Sequence, residues 1–391
     1  MLLENETYPR DFRVRLEAEA LAAAGYHVTV IAPRRPGEPS SDVVAGVRVE
    51  RFKAPLPGEG VISYVLEYGQ STLLTFFTSL RVLVRDGFDV VHAHCPPDTL
   101  VLIGALYKLL GKRFIYDHHD LAPELFCVRF PKRDRKLLHR VLIAFEQLSC
   151  RTADHVIATN ESYKRMESNR SGIPASRITV VRNGPELHRM NGHHAPDAEL
   201  RSMRRTIIGY VGAMGVQDGL DYLLRAFQHL RDDLGRSDFY AVLIGEGAAL
   251  ERMKTLSVEL GLTPYVHFTG FVPHEMAMRY LVCSDICVVP DPSNPLNDRS
   301  TMIKVMEYMA LAKPIVAFDL PEHRVTAQSA AMYAKPNDET EFARALATLM
   351  DDPARRRVMG EEGRRRVETE LAWSHSVPNL LEVYRKVLGH A

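Results

Sequence analysis

Short runs of β-branched and aromatic residues alternate with longer helical patterns from one end of the chain to the other, and this alternation constrains the fold most. In the first half, strands are expected at residues 27–32, 47–52, 88–94, 113–117, 155–159 and 178–182, with helical stretches such as 12–24, closed by Gly25, between them. Continuous apolar strands separated by helices imply a parallel sheet covered on both faces. The polar stretch 187–204 breaks the pattern, and strands resume near 205–211, 239–244, 266–269, 286–290 and 314–318. Two successive sets predict an α/β protein of two doubly wound, Rossmann-like domains facing across a cleft. The expected division is 1–186, a linker at 187–204 with Gly192 suited to a hinge, and 205–372. Residues 373–391 are expected to form a helix whose apolar stripe, Leu380, Leu381, Tyr384 and Leu388, packs back on the N-terminal domain.

Composition excludes some partners. Forty-nine basic and forty-nine acidic residues cancel, so no global field recruits nucleic acid or an anionic bilayer, and only a local basic patch is left open. The five cysteines are an odd count without disulfide-framework spacing, which fits a reducing compartment. Cys283 and Cys287 read as buried thiols rather than metal ligands. The opening Met-Leu-Leu-Glu-Asn-Glu does not read as a signal peptide, and no run reaches the ~20 apolar residues that span a bilayer. The expectation is a cytoplasmic protein, at most peripheral at the inner membrane face.

The most informative stretch is 286–324, where a strand, a polar loop and a helix over about 301–312 succeed one another. Ser300 or Thr301 is placed to cap that helix, whose first amides and positive dipole end would seat a phosphate. Lys304 and Glu307 share a helix face, a cation for phosphate beside a carboxylate for ribose hydroxyls; the bland alternative is a surface ion pair. His119, at a strand's carboxyl end, is either a packing residue or a functional one. His92-x-His94 with Asp117, His118, His119 and Asp120 leaves open a metal-dependent hydrolase.

Lys304-x-x-Glu307-Tyr308-Met309-Ala310-x-x-Lys313-Pro314-Ile315-Val316 resembles the donor-site helix of the family-four retaining glycosyltransferases, which adopt the GT-B fold. Asp11-x-Arg13-Val14-x-x-Glu17-Ala18, Asp89 to His94, Tyr116 to Leu121 and Val181-Arg182-Asn183-Gly184 are similar to that family's N-terminal domain. Gly209 to Gly212, Gln217-Asp218-Gly219 and Gly245-Glu246-Gly247 are similar to the opening turns of its C-terminal domain. By position, the resemblance makes Glu307 the donor-ribose ligand and His119 the histidine that contacts the donor sugar. The first glutamate of the family's Glu-x7-Glu pattern falls on Arg299, so its neighbour Asp298 is assigned that duty and joins His119 as a catalytic candidate. Ala213 and Asp218 stand where the family often has a basic pair, leaving Lys304, Arg299 and helix amides to meet the pyrophosphate. Ser300, Thr301 and Gly212 complete the donor set, and Arg10 and Arg13 are assigned to an anionic acceptor, against the alternative of solvated charges.

The implied activity is sugar transfer, with retention, from a nucleoside-diphosphate sugar to an acceptor hydroxyl in glycan or natural-product biosynthesis. The acceptor class is open: a lipid-linked sugar, a glycan or a small molecule. No cofactor beyond the co-substrate is implied. No Asp-x-Asp is present, so no metal is expected. A nucleotide-sugar epimerase and a non-catalytic nucleotide-sugar binding protein are the alternatives.

Overall fold

Strands buried on both faces need helices on both faces, and two such layered units form. The computed structural model describes residues 1–54, 61–130, 136–190 and 195–389, with residues 61–65 described by their backbone; Gly192 lies outside the described residues. One unit comprises Met1–Asn183 with His375–Ala391, the other Gly184–Ser374.

The N-terminal unit runs α1 (Phe12–Ala23), β1 (Thr29–Arg34), β2 (Ser41–Val44), β3 (Val47–Lys53), α2 (Val61–Arg85), β4 (Val90–His94), α3 (Val101–Leu109), β5 (Arg113–His118), α4 (Ala122–Arg129), α5 (Lys136–Thr152), β6 (His155–Ala158), α6 (Glu161–Ser171) and β7 (Ile178–Val180). The order β1-β3-β2 on one side and β4-β5-β6-β7 on the other is parallel except for β2, which hairpins onto β3. Residues 1–3 join the two halves: Leu2 donates its amide to His92 and Leu3 donates to Ile31. Asp11 caps α1 by accepting from the Val14 amide at 2.8 Å.

The C-terminal unit runs α7 (Leu187–Met190), α8 (Ala198–Ser202), β8 (Thr206–Val211), α9 (Leu220–Asp232), β9 (Phe239–Ile244), α10 (Leu250–Glu259), β10 (Val266–Gly270), α11 (His274–Cys283), β11 (Ile286–Val289), α12 (Ile303–Ala310), β12 (Ile315–Phe318), α13 (Pro321–Ala327), β13 (Ala331–Ala334), α14 (Glu339–Asp351) and α15 (Pro353–Arg366). α16 (Trp373–Leu388) follows, and its part from His375 onward groups with the N-terminal unit. Consecutive residues of the central strands feed opposite layers. Ile208, Leu243, Val288 and Val316 enter one apolar cluster, whereas Ile207, Val242, Cys287 and Ile315 enter the other. Met190 and Leu200, within the polar joint, are buried in the second cluster, so the chain divides at Asn183 and that joint belongs to the C-terminal unit.

The six strands lie in the order β10-β9-β8-β11-β12-β13, all parallel. The chain winds outward from β8 to β10, then returns to β11 on the other flank of β8. That reversal is a topological switch point, and ligands of such sheets bind beyond its strands' carboxyl ends. Gly212 and Asp291 follow β8 and β11 there.

Candidate functional site

In the C-terminal unit the loops after β9 and β11 are each pinned to the loop after β8 by close backbone approach. A Cβ on Gly219 would stand 2.1 Å from the Pro290 carbonyl oxygen, and one on Gly245, at φ 133°, would stand 2.0 Å from that of Gly212. Asn297 donates its side-chain amide to the Gln217 and Pro292 carbonyls at 2.9 Å each. Gly212 itself, at φ 153°, leaves room that a Cβ would take 3.1 Å from the Tyr210 hydroxyl and 3.7 Å from Lys304 Nζ.

Lys304 does not pair with Glu307 and is no surface residue. Its ammonium is buried, 3.1 Å from Asp291, 3.4 Å from the Tyr210 hydroxyl and 3.8 Å from Asp218, and lies 4.7 Å from the centre of the Tyr210 ring. Burial opposes its charge, but Asp291, Tyr210 and Asp218 outweigh that and hold the lysine above its ordinary value. Glu307 is half-buried one turn further along α12, and its carboxylate makes no hydrogen bond among the described residues. Burial lifts it to about 7, with Lys304 pulling the other way.

Two expectations about this loop are corrected. The helix starts at Ile303, two residues later than expected, and neither Ser300 nor Thr301 caps it. The N-cap is Met302, without a side-chain cap. Ser300 instead donates to the Leu296 carbonyl at 2.8 Å, and Thr301 to Glu322 at 3.1 Å. Arg299 turns back to the Pro295 carbonyl at 2.6 Å. Asp298 accepts from Ser293 at 3.2 Å through one oxygen, and its other oxygen is buried without a hydrogen bond. The sequence reading missed Asp291, although an acid just after a central strand was visible.

In the N-terminal unit, Arg13 is the main correction. It is neither solvated nor open to an acceptor: the side chain is 3% exposed, and its guanidinium grips both oxygens of Asp117, at 2.7 and 2.8 Å. It also donates to the Val181 carbonyl at 3.0 Å and to Asn183, and lies 3.0 Å from Glu17. Asp117 is buried, yet the Arg13 charge keeps it well below the usual carboxylate range. Around it stand His94 at 3.0 Å and His119 at 3.7 Å. Burial opposes a charged His119, but Asp117 overrides it and raises its pKa. Arg10 is exposed.

Strand alternation separates the groups of the hydrolase alternative. His118 points to the opposite layer, 2.9 Å from Glu167, and Asp120 is exposed. Glu17, His92, His94 and Asp117 do gather, with ligand atoms within 4.8 Å of one another, but Arg13 already pairs with both carboxylates, and burial pushes Glu17 toward its neutral form. His92 is held by the Tyr384 hydroxyl of α16 at 2.9 Å.

Known families match both halves. The model described as Glycosyltransferase Family 4 matches residues 13–189, and the one described as Glycosyl transferases group 1 matches residues 205–352. The chain belongs to the family-four glycosyltransferases. It is 24% identical to the α-D-kanosaminyltransferase of Streptomyces kanamyceticus, over 96% of this chain and 98% of that one. It is similarly 24% identical to that organism's 2-deoxystreptamine glucosyltransferase, over 95% and 97%. The fold superposes on sucrose-phosphate synthase from Thermosynechococcus elongatus with a TM-score of 0.81 at 20% identity, covering 100% of this chain and 99% of that one. The Anabaena protein HepE, solved with UDP, gives 0.72 at 14% identity, covering 98% and 99%. This glycosyltransferase therefore has the GT-B fold, and its two Rossmann-like units correspond to the two matched segments.

Proposed function

We propose that this glycosyltransferase transfers a sugar, with retention and without a metal ion, from a nucleoside-diphosphate donor to an acceptor hydroxyl. The observation that carries the donor assignment is Glu307, a half-buried carboxylate beside the β8/β11 switch point whose oxygens remain available to ribose hydroxyls. Amides at the start of α12, with Lys304, take the diphosphate, and Gly212 lets it approach the backbone. Asp298, through its unbonded oxygen, takes a sugar hydroxyl, with Arg299, Ser300 and Thr301 around it. His119 contacts the sugar near the reacting carbon, and exposed Arg10 is left as the acceptor-side cation. HepE was solved with UDP and with UDP-glucose, so uridine donors are the first to test.

Departure of the nucleoside diphosphate builds negative charge on its β-phosphate and positive charge on the sugar ring. Fixed amide dipoles stabilise the first before the reaction begins. No second carboxylate is assigned as a covalent nucleophile, unlike the pair in retaining glycosidases, which favours front-face displacement with the leaving phosphate assisting acceptor deprotonation. Asp291 and Asp218 are drawn to the Lys304 ammonium, which supports the metal-independent reading. Transfer assayed with EDTA, with the product's anomeric configuration determined, tests both points. An inverted product refutes retention. Activity that EDTA abolishes and magnesium or manganese restores refutes metal independence.

A further inference from the structure

Helix α2 is turned inside out relative to water. Its inward stripe carries hydroxyls: Ser71 donates to Glu4 at 2.8 Å, Thr72 meets Thr99 at 2.7 Å, and Ser79 meets Tyr107 at 2.8 Å. Its solvent-facing stripe is Leu66, Leu73, Phe77, Leu80 and Val84, spaced as one helical face, with Leu66, Leu73 and Phe77 each at least 60% exposed. The neighbouring helices do the same. α3 exposes Leu102, Leu106 and Leu109, and α5 exposes Leu137, Val141 and Leu148 while burying Glu146 and Ser149. The three lie side by side. Thr72 and Ser79 tie α2 to α3 and the turn before it, and Lys108 of α3 donates to the Thr152 carbonyl of α5 at 2.7 Å. Monomeric proteins rarely expose apolar surface on this scale without a partner for it.

Charge decides which partner. Among the described side chains of these helices, every exposed ionisable group is basic, including Arg81, Lys136 and Arg140, and no carboxylate is exposed. A second copy would oppose cation to cation. An anionic bilayer offers acyl chains to the leucines and phosphates to the basic groups, whose stems reach up from an immersed face. We propose that the α2–α3–α5 face docks this protein on an anionic lipid surface, lying in the interface without crossing it. No helix of the described residues is long and apolar enough to cross a membrane. This inference is independent of the transfer reading.

Co-sedimentation of the full chain tests it, with vesicles of phosphatidylcholine alone or mixed with phosphatidylglycerol. Binding should favour the anionic vesicles and weaken as salt screens the charges. Each basic side chain near the surface contributes about fivefold, so Arg81→Ala with Arg140→Ala should lower partitioning on anionic vesicles by roughly twenty-fold or more. Leu73→Gln with Leu106→Gln should lower it by about tenfold on both vesicle types. Because these side chains face solvent, the thermal melts should stay unchanged. Failure of the wild type to sediment with anionic vesicles, or equal binding by the variants, overturns the proposal. So does a dimer in sedimentation velocity that Leu73→Gln turns into a monomer while vesicle binding is absent.

Discussion

Replacing Glu307 by glutamine should make the protein more stable and a poorer donor binder at the same time. Burial holds the carboxyl at about 7 against an ordinary 4.5, so the folded state binds a proton more tightly than the unfolded chain. A pKa raised on folding favours the fold at low pH, and that advantage is lost as pH rises through about 7. The displacement corresponds to about 3 kcal/mol at most, and partial exposure reduces it. At pH 4, below the unfolded-state value, wild type and Glu307→Gln should unfold together; at pH 8.5 the variant should be more stable by about 1–3 kcal/mol. Trp373 is the sole tryptophan and belongs to the same unit, so its fluorescence reports this unfolding. Calorimetric titration with UDP or UDP-glucose should show the opposite sign, a loss of about 1.5–3 kcal/mol from removing a charged hydrogen-bond partner. A variant that gains no stability at pH 8.5 and binds nucleotide normally would show that Glu307 is an ordinary surface carboxylate.

Three further outcomes are expected. Asp218→Asn should tighten nucleoside-diphosphate binding by roughly tenfold, because it removes a negative charge, like in sign to the diphosphate, that competes for Lys304 at 3.8 Å, while an amide oxygen can still accept from the Gly215 amide; titration showing weaker binding sinks this. His119→Ala should lower turnover by about a hundredfold or more and keep nucleotide affinity, so unchanged turnover removes it from the site. Arg13→Met leaves Asp117 buried beside Glu17 without its cation and should cost about 3–5 kcal/mol, read as a lowered unfolding temperature; an unchanged melt contradicts the burial argument.

Strand and helix alternation was legible because most strand residues are apolar and buried, and a run such as Ile207-Ile208 feeds two layers at once. The elements that escaped were those without such a run. β2 is exposed for most of its length and exists only as a hairpin partner of β3, while β13, an edge strand reading Ala-Met-Tyr-Ala, has no β-branched residue. The inverted polarity of α2 was also hidden, since a helix that buries serine and threonine has the same period as one that exposes them. That Lys304 and Glu307 share one helix was readable from their spacing, whereas the choice of donor roles over a surface ion pair came from the resemblance alone. What spacing could not give was the partner: Lys304 turns to Asp291, thirteen residues back, and Arg13 to Asp117, on another element. Both pairs are made by tertiary packing, and Arg13 appeared as a surface charge until its neighbours were in place.

The central claim is that the C-terminal unit holds a nucleotide sugar through α12. A thermal-shift titration of the full chain, in EDTA, across a panel of nucleoside-diphosphate sugars tests it most directly. At a hundred times its dissociation constant a bound donor stabilises by about 2.7 kcal/mol. The account predicts that at least one nucleotide sugar raises the unfolding temperature of the wild type, and that Glu307→Gln loses most of that rise. A panel in which no nucleotide sugar shifts the wild type, or in which Glu307→Gln responds in full, would contradict it.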